Sequence, residues 1–566
     1  MQMSYDQDSV GILTKPDHLG RGVAGPSFAH HQRASSTSPA FGPEPYLEVA
    51  RALLPRWVRI LEPTSWSMNR AAAQSPDLYK PLSMYQRQAA TLAVAILCEY
   101  DPAREDHARL REIVRTSLVR WQLALLGDGR PIRWRSRNDS LFGPTVASIA
   151  KVLCECSGFQ NGSLLSDMQY HLAWLARRPP SVSWMEAATI CGMADAAVLL
   201  RDKRLWGRAR VRLAALLATQ DDEGWFHEPA GADIGGLSLT IDALARLGVQ
   251  NDWMEVEEPL ARALRFLVHF VHPDGSVGGC FGTCGTGFLT SYGIELLAQR
   301  LPEAASLACT CRQQFRHLDD NKLAGLSDEL VATWGSSAIL AATLTQPGLS
   351  QRSSYPCEST GHARFPRAGL SIFSTDAYYA VVNQRAGGAI RVTWKNGAPS
   401  LSDSGITIVC SRRICTGFPC HGGTDHRVTG SSVTCTGPLR APARPRSFRP
   451  SWLPRLMGRR GRRRGETCCP APPGRLPRDS YKREIKFGSD WIEIGDEVHC
   501  HTRVGKMICH WRLLGPDNRM QQGPDQGECT HWPVFTDLGQ RFRITRRYAG
   551  GRLTDQRVDG GSLAED

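Results

Sequence analysis

A chain of 566 residues, 42% of them apolar, is too long for one core and too apolar for overall disorder, so two or three domains are expected. Its formal charge of +13 is uneven: residues 438–486 hold fifteen Lys or Arg against three Asp or Glu, a local balance of +12. No stretch approaches the roughly 18 uninterrupted apolar residues of a membrane span. The opening MQMSYDQDSVGILTKPDHLG lacks the basic start and apolar run of a secretory leader, so the cytoplasm is the expected location. Eighteen cysteines at spacings such as Cys154/Cys156, Cys280/Cys284, Cys309/Cys311 and Cys468/Cys469 match no metal or disulfide framework, and read as small buried side chains in a reducing compartment.

Residues 1–45 are rich in Ser, Gly, Pro and His without periodicity and read as a flexible arm. From Tyr46, segments such as MYQRQAATLAVAILCEY, HARLREIVRTSLVRWQLALL, WMEAATICGMADAAVLL and LSLTIDALARLG carry apolar residues three and four apart, separated by short Gly/Pro/Asp turns. That pattern predicts consecutive antiparallel amphipathic helices over 46–350. Two turns are alike: Gln220-Asp-Asp-Glu-Gly224-Trp225-Phe226 and His272-Pro-Asp-Gly275-Ser-Val-Gly278-Gly279. Each follows a helix with an acidic-glycine turn and opens a glycine-rich loop. A helix pair recurring about every 50 residues suggests a closed ring of hairpins, with an open solenoid or a plain bundle as alternatives.

After about Arg364 the period changes. AGLSIFST, AYYAVVNQR, GAIRVTWK, GITIVC, KREIKF, DWIEIGDEV and QRFRITRRY are short, β-branched and aromatic, and predict an antiparallel sandwich over 360–566. The basic, Pro-rich insert at 438–486 interrupts it.

This order of elements, with Gly224-Trp225-Phe226-x-Glu228, Gly231-Ala232-Asp233, Gly278-Gly279-x-x-Gly282, Phe288-x-x-x-Tyr292-Gly293-x-Glu295-Leu296 and, later, Phe365-x-x-Ala368-Gly369-Leu370, Tyr379-Ala-Val-Val-Asn383 and Ser402-Asp403-Ser404-Gly405, resembles the heparinase II/III-like polysaccharide lyases, notably uncharacterised members found beside polysaccharide genes. The resemblance implies an α/α-toroid of helical hairpins followed by a β-sandwich, and a substrate that is an acidic, uronate-containing polysaccharide cut by β-elimination. It implies no cofactor or metal. In such chemistry Asn, Arg or protonated His neutralises the uronate carboxylate so that the neighbouring C–H can be deprotonated, while Tyr or His moves the protons.

Carried to this chain, the resemblance implies Asn138 as the neutralising group, with His227 and Tyr292 as proton-transfer candidates. Arg133, Arg135 and Arg137 would attract the anionic glycan, and Trp225, Glu228 and Asp233 would line the cleft. Other readings of the same residues stay open: Asn138 or Asp139 as a helix cap, His227 as a surface-loop histidine, Tyr292 as a packed phenol. The chain also departs from the family. Lyases of this kind carry a Gly-x-His-x-His-x-Asp strand where this chain reads Ala386-Gly387-Gly388-Ala389-Ile390. Related sequences place Tyr at the position of Gly236 and an Arg-Asn pair near Cys284-Gly285; neither is present here. A non-catalytic glycan-binding protein of polysaccharide assembly is therefore the alternative function.

Glu223, Glu228 and Asp233 in one loop also permit a glycoside hydrolase with an acid and a base, although carboxylates so close in sequence usually serve the loop itself. Cys415, Cys420, His421 and His426 are too irregularly spaced for a zinc site. In the insert, Arg449, Trp452, Arg455, Arg459, Arg460, Arg462, Arg463 and Arg464 interleave charge with Phe448, Leu453, Leu456 and Met457. Such a segment suits an anionic membrane surface, at the inner membrane for this chain, or an acidic polysaccharide; a solvated loop is the plain alternative. Nucleic acid ranks below both, since no nucleic-acid-binding fold surrounds the insert.

Overall fold

The computed structural model describes residues 43–62, 84–101, 104–123, 142–178, 182–228, 231–278, 289–316, 318, 323–324, 326–344, 354–410, 413–416, 425–439, 479–501, 504, 506–514, 534–536, 538, 541–559 and 562–563. Helices fill the first half of this set: α1 Glu44–Leu61, α2 Met84–Tyr100, α3 His107–Leu123, α4 Phe142–Glu155, α5 Gly162–Leu175, α6 Ser183–Leu200, α7 Lys203–Leu217, α8 Ile234–Gln250, α9 Glu257–Leu267, α10 Tyr292–Leu297, α11 Pro302–Arg316 and α12 Asp328–Ala342. The last of these helices ends at Ala342, and the strands start at Gly361.

Even- and odd-numbered helices differ in what surrounds them. The even ones touch each other in a cycle: α2 packs on α4, α4 on α6, α6 on α8, α8 on α10, α10 on α12, and α12 again on α2. The odd ones lie outside this cycle, α3 against α2, α7 against α6, α9 against α8 and α11 against α10. Sequence explains the division. α6, SWMEAATICGMADAAVLL, is apolar on every side because α4, α7 and α8 all bury it. It is also the one described helix long and apolar enough to cross a membrane, and 67% of it is buried inside the protein. α9 shows the opposite pattern, with Leu260, Ala263, Leu264 and Leu267 on one buried stripe and Glu257, Glu258 and Arg265 at or near its ends.

The strands form two antiparallel sheets. The first has the order β1 (Gly361–Phe365), β2 (Leu370–Ser374), β3 (Tyr378–Asn383), β4 (Ala389–Trp394), β5 (Ser400–Cys410), β11 (Lys506–Leu514), β12 (Val534–Thr536) and β15 (Ser562–Leu563), with β6 (Arg413–Thr416) also on β5. The second runs β14 (Arg552–Asp559), β13 (Arg541–Ala549), β10 (Trp491–His499), β9 (Ser480–Phe487), β8 (Ser432–Pro438) and β7 (Asp425–Thr429). Leu370, Ile372, Tyr379 and Val381 belong to the apolar cluster that runs through the helices, whereas Phe373, Tyr378, Ala380 and Val382 join a cluster with Val433, Ile485 and Ile494 of the second sheet. The β2–β4 part of the first sheet is thus covered on both faces, which is why these strands read as nearly continuous apolar runs rather than alternating ones.

Four charged residues bridge the sheets in this core. Asp403 of β5 faces Arg483 of β9, Asp496 of β10 and Arg546 of β13, all at most 1% exposed. Arg483 donates Nε to Asp496 Oδ1 at 2.7 Å and Nη1 to Asp403 Oδ1 at 2.9 Å; Arg546 donates Nη1 to Asp403 Oδ2 at 2.7 Å and also binds Asp496. Two cations and two anions cancel, so the group is neutral as a unit while each member alone would be a buried charge. Arg546→Met removes one counter-charge and is expected to cost about 3–5 kcal/mol of stability, read from urea unfolding. A loss under about 1 kcal/mol would mean that the quartet does not hold the sheets together.

Candidate functional site

The two turns that look alike in sequence fold alike. Each is a miniature hairpin closed by a single bridge, Gln220 with Phe226 and Val271 with Val277. In the first, Asp221 N–H donates to the Trp225 carbonyl at 2.8 Å and Gly224 N–H to that of Asp221 at 2.9 Å. In the second, His272 N–H donates to the Ser276 carbonyl at 2.8 Å and Gly275 N–H to that of His272 at 2.9 Å. Gly224 and Gly275 both have positive φ, 102° and 75°, and a Cβ on Gly224 would lie 2.3 Å from the Arg262 carbonyl oxygen.

Both turns are bound to the first sheet. The Glu223 carboxylate accepts the backbone N–H of Arg367 at 2.7 Å and of Ala368 at 2.8 Å, and also Trp225 Nε1 at 3.0 Å. The Arg367 guanidinium reaches Asp221 at 3.4 Å and Asp222 at 3.2 Å. At the second turn, Arg391 of β4 donates to the Gly278 carbonyl at 3.0 Å and to Ser276 Oγ at 2.6 Å, and the Tyr379 hydroxyl donates to the His269 carbonyl at 2.6 Å. His272 Nε2 donates to the Gly278 carbonyl at 2.7 Å; burial, reinforced by Arg391 and opposed by Asp274, pushes its pKa down to about 3. The turns lead on to the beginnings of α8 and α10, so this end of the helical cycle faces the strands.

The sequence candidates separate here. His227 lies on the first turn with its side chain 61% exposed, its ring 4.8 Å from that of Trp225 and its Nε2 3.5 Å from Oδ2 of the buried Asp221. Trp225 itself is buried. Glu228 accepts the Ser183 N–H at 2.8 Å and so fastens the start of α6; burial raises its pKa against the pull of the Ser183 bonds. Asp233 caps α8 by accepting from Gly235 N–H at 3.0 Å and Gly236 N–H at 3.2 Å. Glu223, Glu228 and Asp233 thus each bind a different piece of the chain, in place of the facing acid and base that a hydrolase requires.

Tyr292 is buried within the helical cycle. Its hydroxyl oxygen accepts from Arg246 Nη1 at 3.1 Å and Gln250 Nε2 at 3.4 Å, and Lys151 Nζ stands 5.6 Å from its ring centroid. Burial raises its pKa, with the Arg246 charge opposing. Among the described residues, Tyr292 and His227 share no bonding partner. Asn138, Arg133, Arg135 and Arg137 lie in 124–141, between α3 and α4, outside the described residues. The insert residues Arg449, Trp452, Arg455, Arg459, Arg460, Arg462, Arg463 and Arg464 lie in 440–478, between β8 and β9, and are likewise outside them.

Sequence reading passed over the charged interior around Tyr292. Arg246 binds Asp195 at 3.0 Å and Glu155 at 2.6 Å, while Asp242 accepts from the Gly293 N–H and the Ser337 hydroxyl, each at 2.7 Å. Burial raises the pKa of both Asp195 and Asp242. The signal was present as charge inside apolar helices: Asp195 in GMADAAV, and Asp242 with Arg246 one turn later in LTIDALARL. The histidine missing from the strand also has a physical counterpart. Gly388 has φ 83°, its carbonyl accepts from Arg483 at 3.4 Å, and a Cβ there would stand 2.9 Å from Arg483 Cδ.

No family model matches the chain, and no curated protein matches it in sequence. Among solved structures it is similar to the Streptomyces coelicolor A3 chondroitin AC lyase in complex with chondroitin sulphate, at 13% identity over 91% of this chain and 79% of that one, with a TM-score of 0.45. It is also similar to heparinase III, at 9% identity over 85% and 73% with a TM-score of 0.47. For a Paenibacillus xanthan lyase the figures are 10% identity over 81% and 47%, with a TM-score of 0.45.

The joint carries a pH signature. The unfolded chain protonates His272 below about pH 6.5, whereas the folded chain resists until about pH 3. Stability is therefore lost as pH falls through that window, by up to about 1.4 kcal/mol per pH unit from this group. Parallel denaturant titrations of the parent and His272→Gln are expected to differ in slope between those pH values, and superimposable slopes would remove His272 from the account.

Proposed function

We propose that this is a heparinase-like protein, an α/α-toroid closed by a β-sandwich, that acts on an acidic, uronate-containing polysaccharide, with β-elimination of the glycosidic bond as its reaction. The observation that carries the reading is the exposed His227 imidazole backed by the buried Asp221 carboxylate, on a loop at the junction of helices and strands. A surface imidazole with a fixed carboxylate behind it suits proton removal, because the carboxylate orients the ring and stabilises the imidazolium that forms. The segment 130–138, with Arg130, Arg133, Arg135, Arg137 and Asn138, precedes α4, one of the inner helices, and is the sequence candidate for meeting the uronate carboxylate.

In the elimination, His227 takes the proton beside the carboxylate, the electron pair forms the C=C bond, and the glycosidic C–O bond breaks with its oxygen taking up a proton. Tyr292 is the sequence candidate for delivering that proton. Its buried hydroxyl, which accepts two bonds, makes it first a packing and positioning group of the interior.

The backbone at Gly388, where the related lyases carry histidine and where a Cβ would meet Arg483, favours a second reading: a non-catalytic glycan-binding protein of polysaccharide assembly, held at an anionic membrane surface by the insert. The two readings part on one assay. With purified protein and a panel of uronate polymers, the lyase reading expects rising ultraviolet absorbance from unsaturated ends, reduced about 100-fold or more in His227→Ala. Binding without any such rise across the panel would leave only the holding function, and an unchanged rate in His227→Ala would remove this histidine from the chemistry.

A further inference from the structure

Two outer helices pair most of their charges. On α3, Arg109 meets Glu62 at 3.8 Å, Arg111 meets Glu99 at 3.3 Å and Arg115 meets Glu112 at 3.8 Å. On α9, Glu258 meets Arg265 at 3.0 Å and Glu257 meets Arg300 at 3.6 Å. α7, KRLWGRARVRLAALL, has five cations and no carboxylate. Arg210 finds Glu255 at 2.9 Å and Arg212 finds the buried Glu186 at 2.6 Å, but Lys203, Arg204 and Arg208 are exposed and make no ion pair among the described residues. Arg201, just before α7, and Arg177, just after α5, are exposed and unpaired in the same sense.

Arg204, Arg208 and Arg212 follow at four-residue steps and share a face of α7. Arg212 Nη1 donates to the Arg178 carbonyl at 2.9 Å, which turns that face toward the end of α5 and Arg177. Asp202, the carboxylate beside them, is committed to capping α7 through the N–H groups of Arg204 at 2.9 Å and Leu205 at 3.0 Å. A Cβ added at Gly207, beside Arg208 in the chain, would meet nothing within 4 Å, so the helix is open to solvent there.

We infer that this outer face of α7 is a second contact for an acidic polysaccharide, one that holds the polymer by its carboxylates or sulfates away from the helix–strand junction. Four of the five unpaired cations are arginines, whose planar forks bind such oxyanions through two parallel hydrogen bonds. On α7 itself Val211 is the exposed large apolar side chain, 72% exposed, and one valine offers a bilayer little to insert. The inference shares its ligand class with the function proposed above but uses a different site.

The test measures binding of the full chain to alginate and to chondroitin sulfate by affinity electrophoresis at two salt concentrations. The R204E/R208E pair is compared with R109E/R115E on α3, which changes net charge equally. Affinity is expected to fall about tenfold or more in the first pair and less than about twofold in the second, with the difference shrinking at high salt. Loss with alginate as well as chondroitin sulfate assigns carboxylates as ligands, and loss with chondroitin sulfate alone assigns sulfates. Equal weakening in both pairs, or none in either, would overturn the inference, as would an effect confined to phosphatidylglycerol vesicles or single-stranded DNA. If the glutamate pair unfolds early in thermal melts, R204Q/R208Q takes its place, with a smaller loss expected. Cleavage of short uronate oligosaccharides is expected to be unchanged in R204E/R208E, so failure of the His227 chemistry and failure of this surface give different results.

Discussion

Three N–H groups converge on the carboxylate of Glu223, one from the indole of its own turn and two from the backbone at Arg367 and Ala368. A carboxylate so surrounded has its acceptor sites filled by donors from both halves of the molecule, and displacing either half would leave a desolvated anion. Much else follows from this attachment and its counterpart at Arg391. The first sheet can be apolar on both faces only because helices cover one of them, and the turns set the height at which they do so. His227 owes its exposure to the same attachment, since the turn that carries it is pinned at Glu223 and Trp225 while its imidazole is left outside.

The broad architecture was legible because it rests on periodicity. Three- and four-residue spacing up to Ala342 and short β-branched runs from Gly361 are local signals, and each half obeys its own. The likeness of the two acidic-glycine turns was legible too, but as a repeat. Its purpose was not, because the partners at Arg367, Ala368 and Arg391 lie more than 100 residues away. α10 is only six residues long. Its start is fixed from outside, by Asp242 on the Gly293 N–H and by Ser337 Oγ on the N–H groups of Ser291 and Tyr292. Tyr292 was chosen for its motif, and the motif did not reveal that its hydroxyl points at Arg246. Asp195 and Arg246 were overlooked for the opposite reason: in a helical pattern a lone charge reads as surface until the neighbouring helices are known.

Buried charge recurs in both halves and is handled the same way. The helical interior sets Arg246 between Asp195 and Glu155; the strand core sets Arg483 and Arg546 between Asp403 and Asp496. In each case arginine is the cation, and its fixed fork satisfies two acceptors at once. Such groups contribute less net stability than an apolar core of equal size, while removing one member leaves an uncompensated buried charge. Gly388 belongs to the same constraint, since a Cβ there would crowd Arg483.

The strand quartet also fixes an order of events during synthesis. Asp403 is made 80 residues before Arg483 and 143 before Arg546. Until β9, β10 and β13 have left the ribosome, β5 carries an anion with no partner into what must become a dry interface. The nascent β1–β5 portion, with β2 to β4 apolar on both sides, cannot close over that charge and keeps one face open. Such a long wait between the first and last members of one cluster leaves apolar strand surface exposed for an extended interval.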